Sequence, residues 1–150
     1  MSEPLTILHH LMETLTDGQE GFRSASDDVE SEELKALLLQ YSLQRGTFAT
    51  ELQELAETLG ESEPPDGGSI AGALHRGWMD IKSAITHRDD HVILTECERG
   101  EQHAISAYRK ALNDPDLPAD VADTLRTQAI EITTVHDQLC KLRSALAPRH

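Results

Sequence analysis

Apolar residues recur at three- and four-residue spacing along most of the chain, and no segment shows the two-residue alternation of a half-buried strand. The first predicted helix runs over residues 4–27, with Pro4 suited to its first turn. Its inward stripe is Leu5, Leu8, Leu11/Met12, Leu15, Gln19, Phe22 and Ser26. Ser31 followed by Glu32 and Glu33 reads as an N-cap with acids that complement the helix dipole. It opens a second helix over residues 31–59, with Leu34, Leu37/Leu38, Tyr41, Arg45, Phe48, Leu52, Leu55 and Leu59 inward and Gly60 as its stop. The run ESEPPDGG (residues 61–68) breaks the pattern. A shorter amphipathic helix follows over residues 69–86, carrying Ile70, Leu74, Trp78, Ile81 and Ile85. The next helix, residues 90–113, is capped by Asp89 or Asp90 and shows Leu94, Cys97, Glu101, Ala104/Ile105, Tyr108 and Leu112 on one face. After the turn Asp114-Pro115-Asp116-Leu117-Pro118, the last helix (residues 118–146) presents Leu125, Ala129, Ile132, His136, Leu139, Arg143 and Leu146.

Tight joins pair the first helix with the second and the penultimate with the last. About 30 residues separate the two hairpins, enough to run back along a bundle at about 1.5 Å per helical residue. Two antiparallel hairpins joined by a long crossover predict an all-α, ferritin-like four-helix bundle, with the crossover carrying an additional short helix. The whole chain, residues 1–150, is expected to form one domain.

Glu101 occupies a position in its stripe where a leucine belongs, and a buried carboxylate needs a metal, a charge or hydrogen bonds to answer it. If antiparallel partners have numbers summing to about 59 in the first hairpin and about 231 in the second, Glu101 lies level with Asp17, Ser42 and Ile130. Within a turn fall Gln19, Glu20, Tyr41, Arg45, Glu98, Thr133 and His136. One reading of this level is a carboxylate-lined iron or manganese site with Glu20, Glu98, Glu101 and His136 as ligands. The ligand pattern is incomplete: the second helix offers Gln40, Gln44 and Arg45 at that height, and Glu131 is followed three residues on by Thr134 rather than histidine. The other reading is an internal ion-pair and hydrogen-bond layer of Asp17, Tyr41, Arg45, Glu101, Tyr108 and His136, in which Arg45 grips a carboxylate bidentately. His9 and His10 are expected to be exposed.

The formal charge of −14 falls mainly on residues 1–67, which carry 15 acids against 3 bases. Such a surface repels phosphate, and with 3% aromatic residues it offers few platforms for bases, so no nucleic-acid partner is expected. No apolar run approaches the roughly 20 residues of a membrane span, and a cytoplasmic location is expected. Cys97 and Cys140 lie on different helices and read as reduced structural thiols. No nucleophile elbow, phosphate-binding loop, zinc-protease motif or dinucleotide fingerprint is present. No catalytic residue is assigned.

The stretches DGQEGF (Asp17–Phe22), QRGTFATELQ (Gln44–Gln53), GSIAGALHRGWMDIKSAI (Gly68–Ile85), ECERGE (Glu96–Glu101) with Tyr108, and His136-Asp137 resemble a bacterial family of ferritin-like four-helix-bundle proteins catalogued as a domain of unknown function. The resemblance implies a ferritin-like bundle and a bacterial source, and no established activity. Two functions are therefore carried forward. The first is a non-catalytic structural, interaction or stress-related protein, self-associating, with a role in stress response or surface adaptation and a buried polar layer. The alternative is a metal-binding ferritin-like protein acting on iron or peroxide.

Overall fold

The computed structural model describes residues 3–60 and 89–146, which form four helices: α1 (Glu3–Asp28), α2 (Glu32–Thr58), α3 (Asp90–Leu112) and α4 (Ala119–Ala145). Among the described residues there is no strand. The crossover helix expected over residues 69–86, with Trp78, lies outside them.

Two of the helices begin where a side chain supplies a partner for a free N–H group. Ser31 Oγ accepts from the Leu34 N–H at 3.3 Å, with Glu32 and Glu33 in the first turn. Asp89 caps α3 through the Val92 N–H at 2.8 Å. Pro118 precedes α4 without a side-chain cap bond. At the end of α2, Gly60 takes a φ of 105°, a left-handed conformation that stops the helix at little cost for glycine.

α1 packs along α2, and α3 along α4. Ser26 Oγ donates to the Lys35 carbonyl at 2.8 Å, and Ser42 Oγ to the Gln19 carbonyl at 2.8 Å, which fixes the antiparallel register of the first hairpin. Asp90 joins the hairpins by accepting from the Glu30 N–H at 2.8 Å and the Ser31 N–H at 3.1 Å. The start of α3 therefore lies at the start of α2, and these two helices run in parallel. α1 also packs on α3 and α4 touches α2, so α2 and α3 face each other across the bundle's diagonal.

The second hairpin is shifted relative to the sequence-based heights. Glu98 meets Cys140 and Arg143 rather than Thr133. The connection makes successive turns through Asn113 N–H to the Lys110 carbonyl and Leu117 N–H to the Asp114 carbonyl. These turns advance the chain beyond Leu112 before it reverses, so α4 starts its return late. The α4 seam also differs: Val121, Leu125, Gln128, Ile132, Val135 and Leu139 are buried. Ala129 and Leu146 only flank the core. That seam repeats at about 3.5 residues, the period of helices packed at a shallow angle.

Two apolar clusters fill the bundle. One gathers Leu8, Leu11, Leu15, Phe48, Leu52, Leu125 and Ile132 among others, the second Phe22, Leu34, Leu38, Leu94, Val135 and Leu139. Between them lie buried polar side chains: Asp17, Ser42, Arg45 and Glu101.

Candidate functional site

Arg45 and Glu101 meet in the middle of the bundle, 1% and 2% exposed. Arg45 leaves α2 toward the diagonal helix, and its Nη1 and Nη2 donate to Oε1 and Oε2 of Glu101, each at 2.5 Å. This fork-to-fork geometry uses both carboxylate oxygens at once. Arg45 Nε donates to Gln44 Oε1 at 3.2 Å, so all three guanidinium nitrogens are engaged. The Phe22 ring lies 5.2 Å from the guanidinium carbon, a cation–π arrangement, and meets Tyr41 edge-on at 5.5 Å. Gly18 of α1 lies against the Arg45 side chain: a Cβ there would sit 3.7 Å from its Cγ, an ordinary contact.

Burial pushes the Glu101 carboxyl above its ordinary range, and the Arg45 hydrogen bonds and charge pull it back toward the ionised form. The same burial, with the Glu101 charge added, raises the Tyr41 phenol to about 12. It also raises Tyr108 and the fully buried Cys97 thiol far above their usual ranges. A thiol held neutral in this way is a packing group rather than a nucleophile.

Tyr41 and Tyr108 do not bind the central pair. Tyr41 donates to Gln138 Oε1. Tyr108 donates to Gln128 Oε1 at 2.7 Å, and Gln128 Nε2 donates to Glu51 at 2.8 Å and to the Phe48 carbonyl at 3.3 Å. Gln128, 1% exposed, is a core residue that the sequence reading missed. Its signal was the step Val121, Leu125, Gln128, Ile132, which the alternative step through Ala129 concealed. Asp17 is buried on α1.

His136 sits 18% exposed at the α3–α4 rim, not in the buried layer, because the neighbouring Val135 takes the inward position. There it joins Glu98 and Cys140. Cys140 Sγ donates to Glu98 Oε1 at 3.0 Å, and Arg143 Nε donates to Glu98 Oε2 at 2.6 Å. The two His136 ring nitrogens lie 3.9 and 3.8 Å from the sulfur. One ligand atom from each of Glu98, His136 and Cys140 falls within 4.8 Å of the others. Burial would raise the Glu98 carboxyl, but the Cys140 and Arg143 hydrogen bonds and the positive charge nearby outweigh it and hold it below its ordinary range.

Of the four residues read as metal ligands, the structure brings Glu98 and His136 together and ties Glu101 to Arg45. Glu20 joins neither group. It is half-buried on α1, about 140° around the helix from the Leu15 seam. His9 and His10 belong to no ligand cluster among the described residues. No described helix is long and apolar enough to cross a membrane.

No curated protein matches the chain closely enough to name a relative. A family model does match, over residues 3–114, a span that holds Arg45, Glu98 and Glu101 and stops short of α4. The chain belongs to the family described as a domain of unknown function, DUF2383.

Proposed function

We propose that this chain is a non-catalytic, ferritin-like helical module of the structural or interaction kind, serving a stress-related role, whose midpoint is a locked ion pair instead of a metal centre. The observation that carries the reading is the occupancy of both Glu101 oxygens by the Arg45 guanidinium. A cation at this level would face a fixed positive charge and a carboxylate whose two oxygens both already accept from it. A buried pair of this kind holds helices in register more than it adds stability. Self-association stays part of the proposal; the feature that fits it is the pair Leu39 and Leu43, one turn apart on α2 and 46% and 62% exposed.

The alternative, an iron or manganese protein using Glu20, Glu98, Glu101 and His136 to act on iron or peroxide, requires Arg45 to withdraw. Metal analysis of full-length protein loaded with iron(II) or manganese(II) tests the choice, performed in a Cys140→Ser background so that the rim thiol contributes nothing. The proposal expects no bound metal that depends on Glu101, and a loss of stability in Glu101→Gln. Stoichiometric iron or manganese that disappears in Glu101→Gln overturns it.

A further inference from the structure

The rim cluster uses neither Arg45 nor Glu101, and its chemistry is its own. His136 and Cys140 stand one turn apart on α4, at the i, i+4 spacing that places two side chains on one helix face. Glu98 reaches them from α3. Its carboxylate is already divided between two tasks, since Arg143 holds Oε2 while Oε1 points at the Cys140 sulfur. The imidazole is flanked in the same manner: Asp137 Oδ1 lies 3.2 Å from Nδ1, and Gln102 Nε2 lies 3.5 Å from Nε2. With a proton on Nδ1 donated to Asp137, Nε2 keeps its lone pair, the tautomer that metal-bound histidines obtain from a carboxylate partner. That nitrogen now meets Gln102, and rotation of the ring turns it to the cluster.

We infer that Cys140 Sγ, His136 Nε2 and Glu98 Oε1 form a binding site for one zinc-class divalent cation. A tetrahedral zinc site with bonds of about 2.0–2.3 Å has ligand atoms about 3.3–3.6 Å apart. Here the sulfur lies 3.0 Å from the carboxylate oxygen and 3.8 Å from Nε2, so small side-chain rotations close the site. The cation takes the place of the thiol proton that now bridges Cys140 and Glu98, and that proton leaves to solvent. Thiolate and carboxylate neutralise the two positive charges. Arg143 stays on the outer carboxylate oxygen as a positioning residue. Glu98 also borders an open groove of about 200 Å³ with Thr95, Arg99, Gln102 and Arg143, from which water can complete the shell. One sulfur, one nitrogen and one oxygen donor favour zinc over magnesium, calcium or manganese, which prefer all-oxygen shells.

Titration of the reduced, metal-free full chain with cobalt(II), followed by zinc(II), tests the site. Expected are one equivalent of cobalt with a sulfur-to-cobalt charge-transfer band and tetrahedral ligand-field bands, displacement by zinc, and a zinc-dependent rise in Tm. Cys140→Ser, checked for native helicity by circular dichroism, loses the charge-transfer band and the rise in Tm. His136→Gln weakens zinc binding by at least about tenfold, while Glu101→Gln still gives the cobalt spectrum. The absence of a sulfur-to-cobalt band, or zinc binding unchanged in Cys140→Ser, overturns the assignment. That result leaves the central ion pair untouched, because the two sites share no side chain.

Discussion

Glu98 and Glu101 lie one turn apart on α3 and each is held by an arginine, yet they have opposite surroundings. Glu101 is 2% exposed, and both its oxygens are consumed by one guanidinium from the diagonal helix. Glu98 is 15% exposed, and its two oxygens serve different partners, Arg143 on one side and the Cys140 thiol on the other. The cysteines repeat the contrast: Cys97 is buried in the core and Cys140 stands at the rim. A rotation of about 60° around the helix thus separates a group spent on holding the bundle together from one that can exchange a proton for a cation. Both carboxylates accept one bond on each oxygen, and what separates them is the partner: a guanidinium that keeps its protons at Glu101, and a thiol that can release one at Glu98.

The sharpest way to break this comparison is to remove one partner of the sealed pair. Glu101→Ala leaves the Arg45 charge buried without its carboxylate, and Arg45→Ala does the converse. Each is expected to cost about 3–5 kcal/mol in urea unfolding. A loss below about 1 kcal/mol would show that water reaches the layer.

A smaller effect comes from the phenol beside that layer. The Tyr41 pKa is raised from 10.0 to about 12, so the folded state keeps a proton that the unfolded chain releases first. The stability this contributes is fully present below pH 10 and is lost as pH rises through about 12. The chain's two tyrosines should therefore ionise late in an absorbance titration, with the urea midpoint falling over the same window. Ionisation near pH 10 in the folded state would contradict a sealed middle.

The smallest effect belongs to the rim. Glu98→Gln in metal-free protein is expected to change stability by less than about 1 kcal/mol, as for other partly exposed ion pairs. Because the Glu98 carboxyl is held below its ordinary range, its contribution is present above the unfolded-state pKa and fades as pH falls through the folded one. The substitution should flatten the acid limb of the stability profile. A loss as large as that of Glu101→Ala would erase the distinction between the two carboxylates.

The central pair was legible in the sequence because a charge on an apolar stripe of period 3.6 has few explanations, and Arg45 and Glu101 each occupied such a position. The first hairpin was legible because Ser31, Glu32 and Glu33 mark its turn closely. The last helix was less so. Leu125, Ile132 and Leu139 repeat every seven residues and leave the intermediate step open between Gln128 and Ala129, and between Val135 and His136. Packing against α3 and α2 selects Gln128 and Val135, which sends His136 to the rim. The pairing of Glu98 with Cys140 depended on the height of α4, and the turns at residues 113–117 reset that height in a manner no periodicity records.

The most direct test replaces the whole central pair with hydrocarbon. Arg45→Met combined with Glu101→Leu, measured by urea unfolding beside each single variant, should restore stability to within about 1 kcal/mol of the parent or exceed it, since neither charge is then left buried alone. If the two losses simply add, Arg45 and Glu101 are not each other's partners, and the ion-paired midpoint is wrong.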